Sequence, residues 1–325
     1  MVKAIVFESF GDPSVLKTVN MQLSNPKPDE VQIRNTAIEV NYIDIMQRQG
    51  SFPLNANPKI PGASAVGEIV KLGYDVEGFS VGDRVAYITF QSGGTYCESR
   101  NVNAKLVVAI PPDLTDKTVA SIFLKGLIAH ALACRTFVAR PDSSVLIHAA
   151  SGGVGRLLAQ WCSLAGSYVI GTVGSDAKEE LALKHGCNLV INYNTEDWVA
   201  KVHEATNRVG VNAVYDSVGK DTFYKSLECL MNMGTMILYG TSSGAVTSVD
   251  SKPFAAKSLF FTRPTLSHYK SNRMELLLGF NELCKRFSED GFKNPPPIEF
   301  KLEECAEAHR LIESRKNLSS VILMP

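Results

Sequence analysis

The sequence has no excess of charge of either sign, because 33 Lys and Arg residues balance 33 Asp and Glu residues. Without a concentrated basic surface, we expect neither nucleic acid nor an anionic membrane as a main partner. The seven cysteines include no Cys-x-x-Cys pair, which argues against a disulfide framework or a zinc cluster and favours buried thiols in a reducing compartment. No apolar run approaches the roughly 20 residues of a membrane span, and no signal-peptide pattern begins the chain. We therefore expect a soluble, cytoplasmic protein.

The 325 residues suit two domains. Residues up to about 120 are rich in short β-type runs, such as Lys3–Phe7 and Glu30–Asn35, separated by Gly and Pro. From about 143 onward, apolar runs alternate with helical stretches, which predicts a parallel sheet with right-handed crossovers. The predicted strands are 144–148, 168–173, 189–192, 213–216, 235–240 and 258–262. We predict one domain over 1–124, a second over 125–264, and a tail, 265–325, that returns to the first.

A glycine-rich motif, Ser151-Gly152-Gly153-Val154-Gly155, follows the first of these strands and precedes a helical stretch predicted over 156–165. In this context such a turn places the N–H groups of a helix against a pyrophosphate. We expect Gly152 and Gly153 to shape the turn and Gly155 to let the helix pack on the strand. The alternative is an ordinary flexible loop, but the strand, helix and strand around the motif favour a dinucleotide-binding turn.

Several further motifs occur in an order that resembles one protein family. They are Phe10–Leu16, Asn41–Asp44, Gly82–Val85, Phe123–Leu127 and Val214–Gly219. Together with the glycine turn, they resemble the zinc-free quinone oxidoreductase (ζ-crystallin-like) branch of the medium-chain dehydrogenase/reductase superfamily. The resemblance implies an α/β protein with a GroES-like, partly closed β-barrel catalytic domain and a Rossmann domain with a doubly wound parallel sheet. It also implies NADPH in the cleft between them and, commonly, a homodimer.

The residues after the second predicted strand favour NADPH over NADH. An NAD-selective Rossmann domain has an acidic residue at this position that binds the ribose hydroxyls. This chain has Gly174-Ser175 instead, followed by Asp176, which we expect to cap the next helix. Lys178 could pair with the 2′-phosphate, although it could also be a solvated lysine at a helix start. The resemblance adds these cofactor contacts: Tyr42, Ile43, Asp44, Tyr193, Ser217, Val218, Gly240, Thr241, Ser242, Phe261, Thr262 and Arg315.

No metal site is expected. Zinc-dependent relatives in the superfamily hold the ion partly by a Cys and by the His of a Gly-His-Glu triplet, where this chain has Val40-Asn41-Tyr42 and Gly62-Ala63-Ser64. Zinc needs at least three thiolate, imidazole or carboxylate donors in reach. We expect the six histidines to be structural or surface residues.

Hydride donation to an electrophilic acceptor needs orientation and hydrogen bonds rather than a metal. The resemblance places Asn41 beside the nicotinamide and the substrate oxygen. Arg263 could polarise an acceptor oxygen, or it could form an interdomain or dimer-edge salt bridge. Lys125, expected at the start of an otherwise apolar helix, could approach the cofactor, although a structural role ranks first.

The pocket departs from the family pattern at its substrate end. Met46, Phe52 and Ile128 replace hydroxyl-bearing residues, and Ser64 replaces an acidic or polar group. Such a pocket is apolar and adaptable. The function we predict is NADPH-dependent, zinc-independent reduction of quinones. The alternatives are reduction of the C=C bond of alkenals or enones, or a low-turnover NADPH-binding structural or RNA-binding protein.

Overall fold

The computed structural model describes residues 1–89, 94–270 and 272–325. The chain divides into two compact units. The first unit is Met1–Leu124 with Ser271–Pro325, and the second unit is Lys125–Lys270. The domain boundaries expected from the sequence, after residue 124 and after residue 264, stay a prediction.

Strands predominate up to Ala109, and strands and helices alternate between Ser144 and Thr262. The strands are β1 (Val2–Val6), β2 (Lys17–Met21), β3 (Glu30–Val40), β4 (Ser64–Leu72), β5 (Arg84–Ile88), β6 (Ser99–Asn103), β7 (Val107–Ala109), β8 (Ser144–His148), β9 (Tyr168–Val173), β10 (Leu189–Asn192), β11 (Val211–Asp216), β12 (Leu230–Leu238), β13 (Phe260–Thr262), β14 (Ile298–Lys301) and β15 (Val321–Met324). The helices are α1 (Tyr42–Gln49), α2 (Asp116–Ala131), α3 (Gly153–Leu164), α4 (Asp176–Lys184), α5 (Trp198–Ala205), α6 (Phe223–Cys229), α7 (Lys252–Lys257), α8 (Leu266–Lys270), α9 (Arg273–Ser288) and α10 (Cys305–Glu313).

The second unit contains a six-stranded parallel sheet in the order β10-β9-β8-β11-β12-β13. This is the strand order of a doubly wound dinucleotide-binding sheet, so the predicted α/β class is confirmed. Strands β8, β9 and β10 have the predicted bounds, whereas β12 begins at Leu230 and β13 is only three residues long. The strands carry fully buried apolar residues, including Leu146, Ile170 and Val214, because helices cover the sheet.

The first unit is built on the long strand β3. Strand β3 pairs antiparallel with β4, β6 and β15, so the sheet runs β14-β15-β3-β4-β5-β7 with β6 added at β3. The C-terminal strand enters this sheet through the register Val321↔Val40. Its core includes Ile33, Ile69 and Val85, and runs of consecutive buried residues in β3 and β5 show that both faces of these strands are covered.

One helix corrects an expectation about hydrophobic runs. Helix α2 continues through a π-helical turn, Leu132–Thr136, and the combined stretch is long and apolar enough to cross a membrane by length and composition. It is, however, mostly buried within the protein, as the core helix of a soluble fold also is. The expectation that no run reaches this length was therefore wrong, and the stretch by itself is weak evidence for a membrane.

All seven cysteines are free, and all but Cys134 are buried. Burial raises the pKa of Cys229 and Cys305 to about 12, and it raises that of Cys97 to about 11. These thiols stay protonated near neutral pH and are therefore poor nucleophiles. Their predicted character as small buried hydrophobic side chains is confirmed.

Candidate cofactor and active site

The glycine-rich turn joins β8 to α3, which begins at Gly153 rather than at the expected Arg156. The residue that turns the chain is Ala149, with a left-handed φ of 53°. Gly152 is the helix N-cap with a φ of −69°, and its N–H donates to the Ala149 carbonyl at 2.8 Å, so Gly152 is part of the turn although Ala149 has the left-handed backbone. At Gly155 a Cβ would lie 3.0 Å from the carbonyl carbon of Ala149 and closer still to its oxygen. The predicted close packing of helix on strand at Gly155 is therefore observed.

In the second unit the predicted cofactor residues lie at the carboxyl ends of the parallel strands, a side of the sheet that we call the cofactor edge. Because parallel strands end at the same edge, residues that follow β8 to β13 lie in one row. The residues placed there are Ser151, Gly152, Gly153, Val154 and Gly155 after β8; Gly174, Ser175 and Lys178 after β9; Tyr193 after β10; Ser217 and Val218 after β11; Gly240, Thr241 and Ser242 after β12; and Phe261, Thr262 and Arg263 at the end of β13. Arg263 is exposed.

Asp216 organises the middle of this edge, and sequence reasoning gave it no role. This buried carboxylate ends β11 and accepts hydrogen bonds from the N–H groups of Val218 (2.7 Å) and Gly219 (3.0 Å) and from the Thr222 hydroxyl (2.7 Å). The Ser217 carbonyl in turn accepts from the Ser242 N–H at 3.1 Å. These bonds tie the loops after β11 and β12 into one backbone surface beside the glycine turn.

The loop after β9 differs from its expected form. Ser175, not Asp176, is the N-cap of α4, and Asp176 is the first residue of the helix. The Asp176 carboxylate accepts a hydrogen bond from the Asn192 amide at 2.9 Å, so it is not a helix cap. The Tyr193 hydroxyl lies over Gly174, where a Cβ would approach it to 2.5 Å. Gly174 and Tyr193 are thus in contact, although they follow separate strands.

Lys125 lies in the middle of α2 and not at the start of a helix, which corrects the expectation. A Cβ at Gly153 would come within 2.5 Å of the Lys125 side-chain Cδ. The aliphatic stem of Lys125 therefore covers the first residue of α3. Ile128 is one helical turn further on and, like Lys125, is half-buried.

In the first unit, Asn41 stands at the end of a buried hydrogen-bond chain. Its side-chain amide donates to the Ser64 hydroxyl at 3.3 Å, and that hydroxyl donates to the Glu39 carboxylate at 2.5 Å. The Leu124 N–H donates to the same carboxylate oxygen at 3.1 Å. The backbone N–H of Asn41 donates to Asp44 at 2.8 Å, which fixes the start of α1. The Ser64 and Glu39 contacts were not predicted.

A second buried group of polar residues joins α1 to α10. The Tyr96 hydroxyl donates to Asp44 at 3.2 Å and lies 3.0 Å from His309 Nε2, while Arg48 forms an ion pair with Glu313 at 2.5 Å. Burial, followed by the charge of Arg48, lowers the pKa of His309 to about 3. His309 is therefore neutral at physiological pH, and the group fixes the helix that begins beside Asn41.

The remaining predicted residues lie at two places in the first unit. Met46 and Phe52 are close in the backbone, because the Phe52 N–H donates to the Met46 carbonyl at 3.1 Å. Both side chains are half-buried. Tyr42 and Ile43 open α1, and Tyr42 is 40% exposed. Arg315 follows α10 and is exposed, with a left-handed φ of 57°.

The histidines include one that ends β8 directly before the turn. His148 is buried between the hydroxyls of Thr172 (2.8 Å) and Ser226 (3.0 Å), and burial lowers its pKa. Both ring nitrogens are therefore already engaged. Within either unit taken alone, the described residues bring no three His, Cys, Asp or Glu ligand atoms close enough to share a metal ion.

Two family models match this chain. Residues 27–135 match the alcohol dehydrogenase GroES-like domain, and residues 153–280 match the zinc-binding dehydrogenase domain. The predicted GroES-like domain is thereby confirmed beside the parallel-sheet domain. The fold and the glycine-turn edge define a two-domain dehydrogenase/reductase of the medium-chain type.

Comparison with individual relatives identifies the family within this class. Quinone oxidoreductase 1 of Escherichia coli is 39% identical over 100% of both chains. A solved structure of E. coli quinone oxidoreductase complexed with NADPH has a TM-score of 0.95 and 38% identity, covering 99% of this chain and 100% of the other. A 2-haloacrylate reductase of Burkholderia sp. is 37% identical over 100% of this chain and 99% of its own length. The chain belongs to the quinone oxidoreductase family of medium-chain dehydrogenases/reductases.

Proposed function

We propose that this protein is an NADPH-dependent quinone oxidoreductase. The observation that carries the proposal is its full-length similarity to E. coli quinone oxidoreductase, a protein solved with NADPH. The residues present suit that cofactor: Gly155 lets α3 pack closely on the turn after β8, and the N-terminus of α3 supplies N–H donors for a pyrophosphate. Gly174, Lys178 and Tyr193 then provide a small residue, a cation and a hydroxyl for the 2′-phosphate.

When bound, NADPH supplies a hydride, and the chain supplies orientation. We propose that Asn41 donates a hydrogen bond that aligns the nicotinamide or the acceptor oxygen, with its amide held by Ser64 and Glu39. Arg263 and Lys125 are proposed as cations that stabilise negative charge, Arg263 on the acceptor and Lys125 near the glycine turn. Arg315 is proposed as a further 2′-phosphate contact.

No step in this proposal uses a metal, because Val40-Asn41-Tyr42 and Gly62-Ala63-Ser64 offer no thiolate or imidazole where zinc-dependent relatives have a Cys and a His that bind the ion. The apolar residues Met46, Phe52 and Ile128 are proposed to line the acceptor site, where they favour lipophilic acceptors.

The test is the loss of NADPH absorbance with a panel of ortho- and para-quinones, repeated with NADH and with a chelator. Turnover that prefers NADPH and survives chelation supports the proposal. Turnover abolished by chelation refutes its metal-free part. Tight NADPH binding without turnover of any acceptor refutes the catalytic part and favours a structural or RNA-binding role.

A second candidate is reduction of an activated C=C bond. The Burkholderia relative is named for a 2-haloacrylate, an α,β-unsaturated acid, and the loss of hydroxyls at positions 46, 52 and 128 fits an acceptor other than a quinone. Alkenals, enones and 2-haloacrylates in the same assay distinguish the two. A kcat/KM for an alkene above that for every quinone would replace the first proposal with this one.

We also propose a cytoplasmic homodimer. Strand β13 is the outermost strand on one side of the parallel sheet, and its Phe260 is 62% exposed. A second copy of the chain could therefore pair its own β13 with this strand. The neighbouring Phe261 is held within the unit by edge contacts to Phe223 and Phe254. Light scattering of the wild type and of Phe260→Asp tests this. A monomeric wild type, or an Asp variant that stays dimeric, refutes this interface.

A further inference from the structure

The cofactor edge contains a carboxylate at an unfavourable place for the proposed cofactor. Asp176 is exposed and lies two residues after Gly174, at the start of α4. An acidic side chain beside the ribose at the end of this strand selects for NADH and repels a 2′-phosphate. Selectivity for NADPH therefore requires that this carboxylate be directed away from the ribose.

Asn192 is placed to hold it. Asn192 ends β10, is only 5% exposed, and donates from Nδ2 to Asp176 Oδ1 at 2.9 Å. Strand β10 lies on one side of β9, and β8 with its glycine turn lies on the other. The bond therefore holds the Asp176 carboxylate toward β10, the outermost strand, and away from β8 and its glycine turn.

Other bonds fix the direction of the Asn192 amide. Its Oδ1 accepts the Asn194 N–H at 3.2 Å, so its Nδ2 is the atom that faces Asp176. Its own N–H donates to Glu196 at 3.1 Å, and the Asn194 side chain donates to the Gly174 carbonyl at 2.9 Å. The loop after β10 is thus bound to the loop after β9, and Asn192 has one orientation.

We propose that Asn192 is a specificity-determining residue, which permits 2′-phosphate binding by restraining the Asp176 carboxylate. This inference rests on the proposed NADPH function. It assigns cofactor choice to a pair of residues, one at the start of α4 and one at the end of β10, in addition to the cation Lys178. Asn192 does not touch the phosphate; it acts through Asp176.

The test compares binding of 2′,5′-ADP and 5′-AMP by calorimetry to the full-length protein, because the two ligands differ only in the 2′-phosphate. The variants are Asn192→Ala, Asp176→Asn and the double variant. Asn188→Ala is the matched control, since Asn188 lies just before β10 at the opposite edge of the sheet and caps the Val169 N–H.

In Asn192→Ala the released carboxylate is expected to weaken 2′,5′-ADP binding about threefold to fivefold, the scale of a solvent-exposed charge pair, with 5′-AMP binding unchanged within about twofold. The loss is expected to vanish in the Asp176→Asn background, and Asn188→Ala is expected to bind both ligands as the wild type does. Equal weakening of both ligands, or a loss that persists without the carboxylate, overturns the proposal.

Asp176→Asn alone gives an answer even if Asn192→Ala does not fold. With the carboxylate already restrained, this variant should bind 2′,5′-ADP within about twofold of the wild type. A gain of about threefold or more would overturn the proposal, because it would show that the carboxylate still acts on the phosphate. A wild type that does not prefer 2′,5′-ADP refutes the NADPH assignment itself, which is a different pattern from any of these.

Discussion

Two glycines in the first turn of α3 should respond in opposite ways to the same added methyl group. Both Gly153 and Gly155 are helical, so Ala at either place gains about 1 kcal/mol of helix propensity. At Gly155 the new Cβ meets backbone atoms of Ala149, whereas at Gly153 it meets the far end of the Lys125 side chain. Backbone in a packed turn can yield only by moving the helix, but a lysine stem can rotate away.

The expected magnitudes follow from that difference. Overpacking against backbone costs about 3 kcal/mol at the upper end of its usual range, so Gly155→Ala should lose about 2 kcal/mol of stability in net terms. Gly153→Ala should be neutral or stabilising by up to about 1 kcal/mol. Movement of α3 also displaces its N–H donors, so Gly155→Ala should weaken 5′-nucleotide binding by about tenfold or more.

Urea unfolding followed by circular dichroism measures the first effect, and calorimetry with 5′-AMP measures the second. Gly153→Ala is the matched control for helix propensity, being two residues away in the same turn. Equal stability of the two variants would refute the argument, because it would show that α3 does not rest on the Ala149 carbonyl.

Three further outcomes are expected. Lys178→Ala should raise the KM for NADPH about tenfold and leave that for NADH almost unchanged; equal losses would refute the phosphate assignment. Ser64→Ala should lower kcat about tenfold with little change in the KM for NADPH, because it releases the Asn41 amide, and a changed KM at constant kcat would contradict this. The free energy of unfolding should fall by up to about 1.4 kcal/mol per pH unit as the pH drops from about 6.5 toward 3, because His309 binds a proton in the unfolded chain but stays neutral in the folded protein. His309→Gln should reduce this slope in urea titrations, with exposed His268→Gln as the control.

The parallel sheet was predictable because its strands are buried on both faces. Such strands are largely apolar runs, and the bounds of β8 and β9 follow directly from Ser144–His148 and Tyr168–Val173. Once the strands are parallel, their carboxyl ends share an edge, so the row of candidate cofactor residues follows from strand order alone. Helix starts were less predictable: glycines open α3, although their helix propensity is low.

The side-chain pairs that shape the site were not predictable from one sequence. Asn41 and Ser64 are 23 residues apart, and Asp176 and Asn192 are 16 apart, so only the paired strands bring them together. The left-handed backbone at Ala149 was equally hidden, because an alanine gives no local signal for positive φ. Local sequence patterns indicate which side of the sheet is the candidate cofactor site, whereas tertiary contacts decide the direction of each polar side chain.

The two ends of the proposed reaction depend on different parts of the chain. Recognition of the dinucleotide rests mainly on backbone: the α3 N-terminus and the loops that Asp216 fixes by its bonds to Val218 and Gly219. Backbone geometry tolerates side-chain change, and the fold as a whole is shared with the NADPH-complexed E. coli structure at 38% identity and a TM-score of 0.95. The acceptor end, as proposed, rests on side chains such as Met46 and Phe52, which adapt in shape and offer no hydroxyl. It follows that cofactor use is shared across the family more securely than the acceptor, and that substitutions restoring hydroxyls at positions 46 and 52 should change acceptor preference without changing the KM for NADPH.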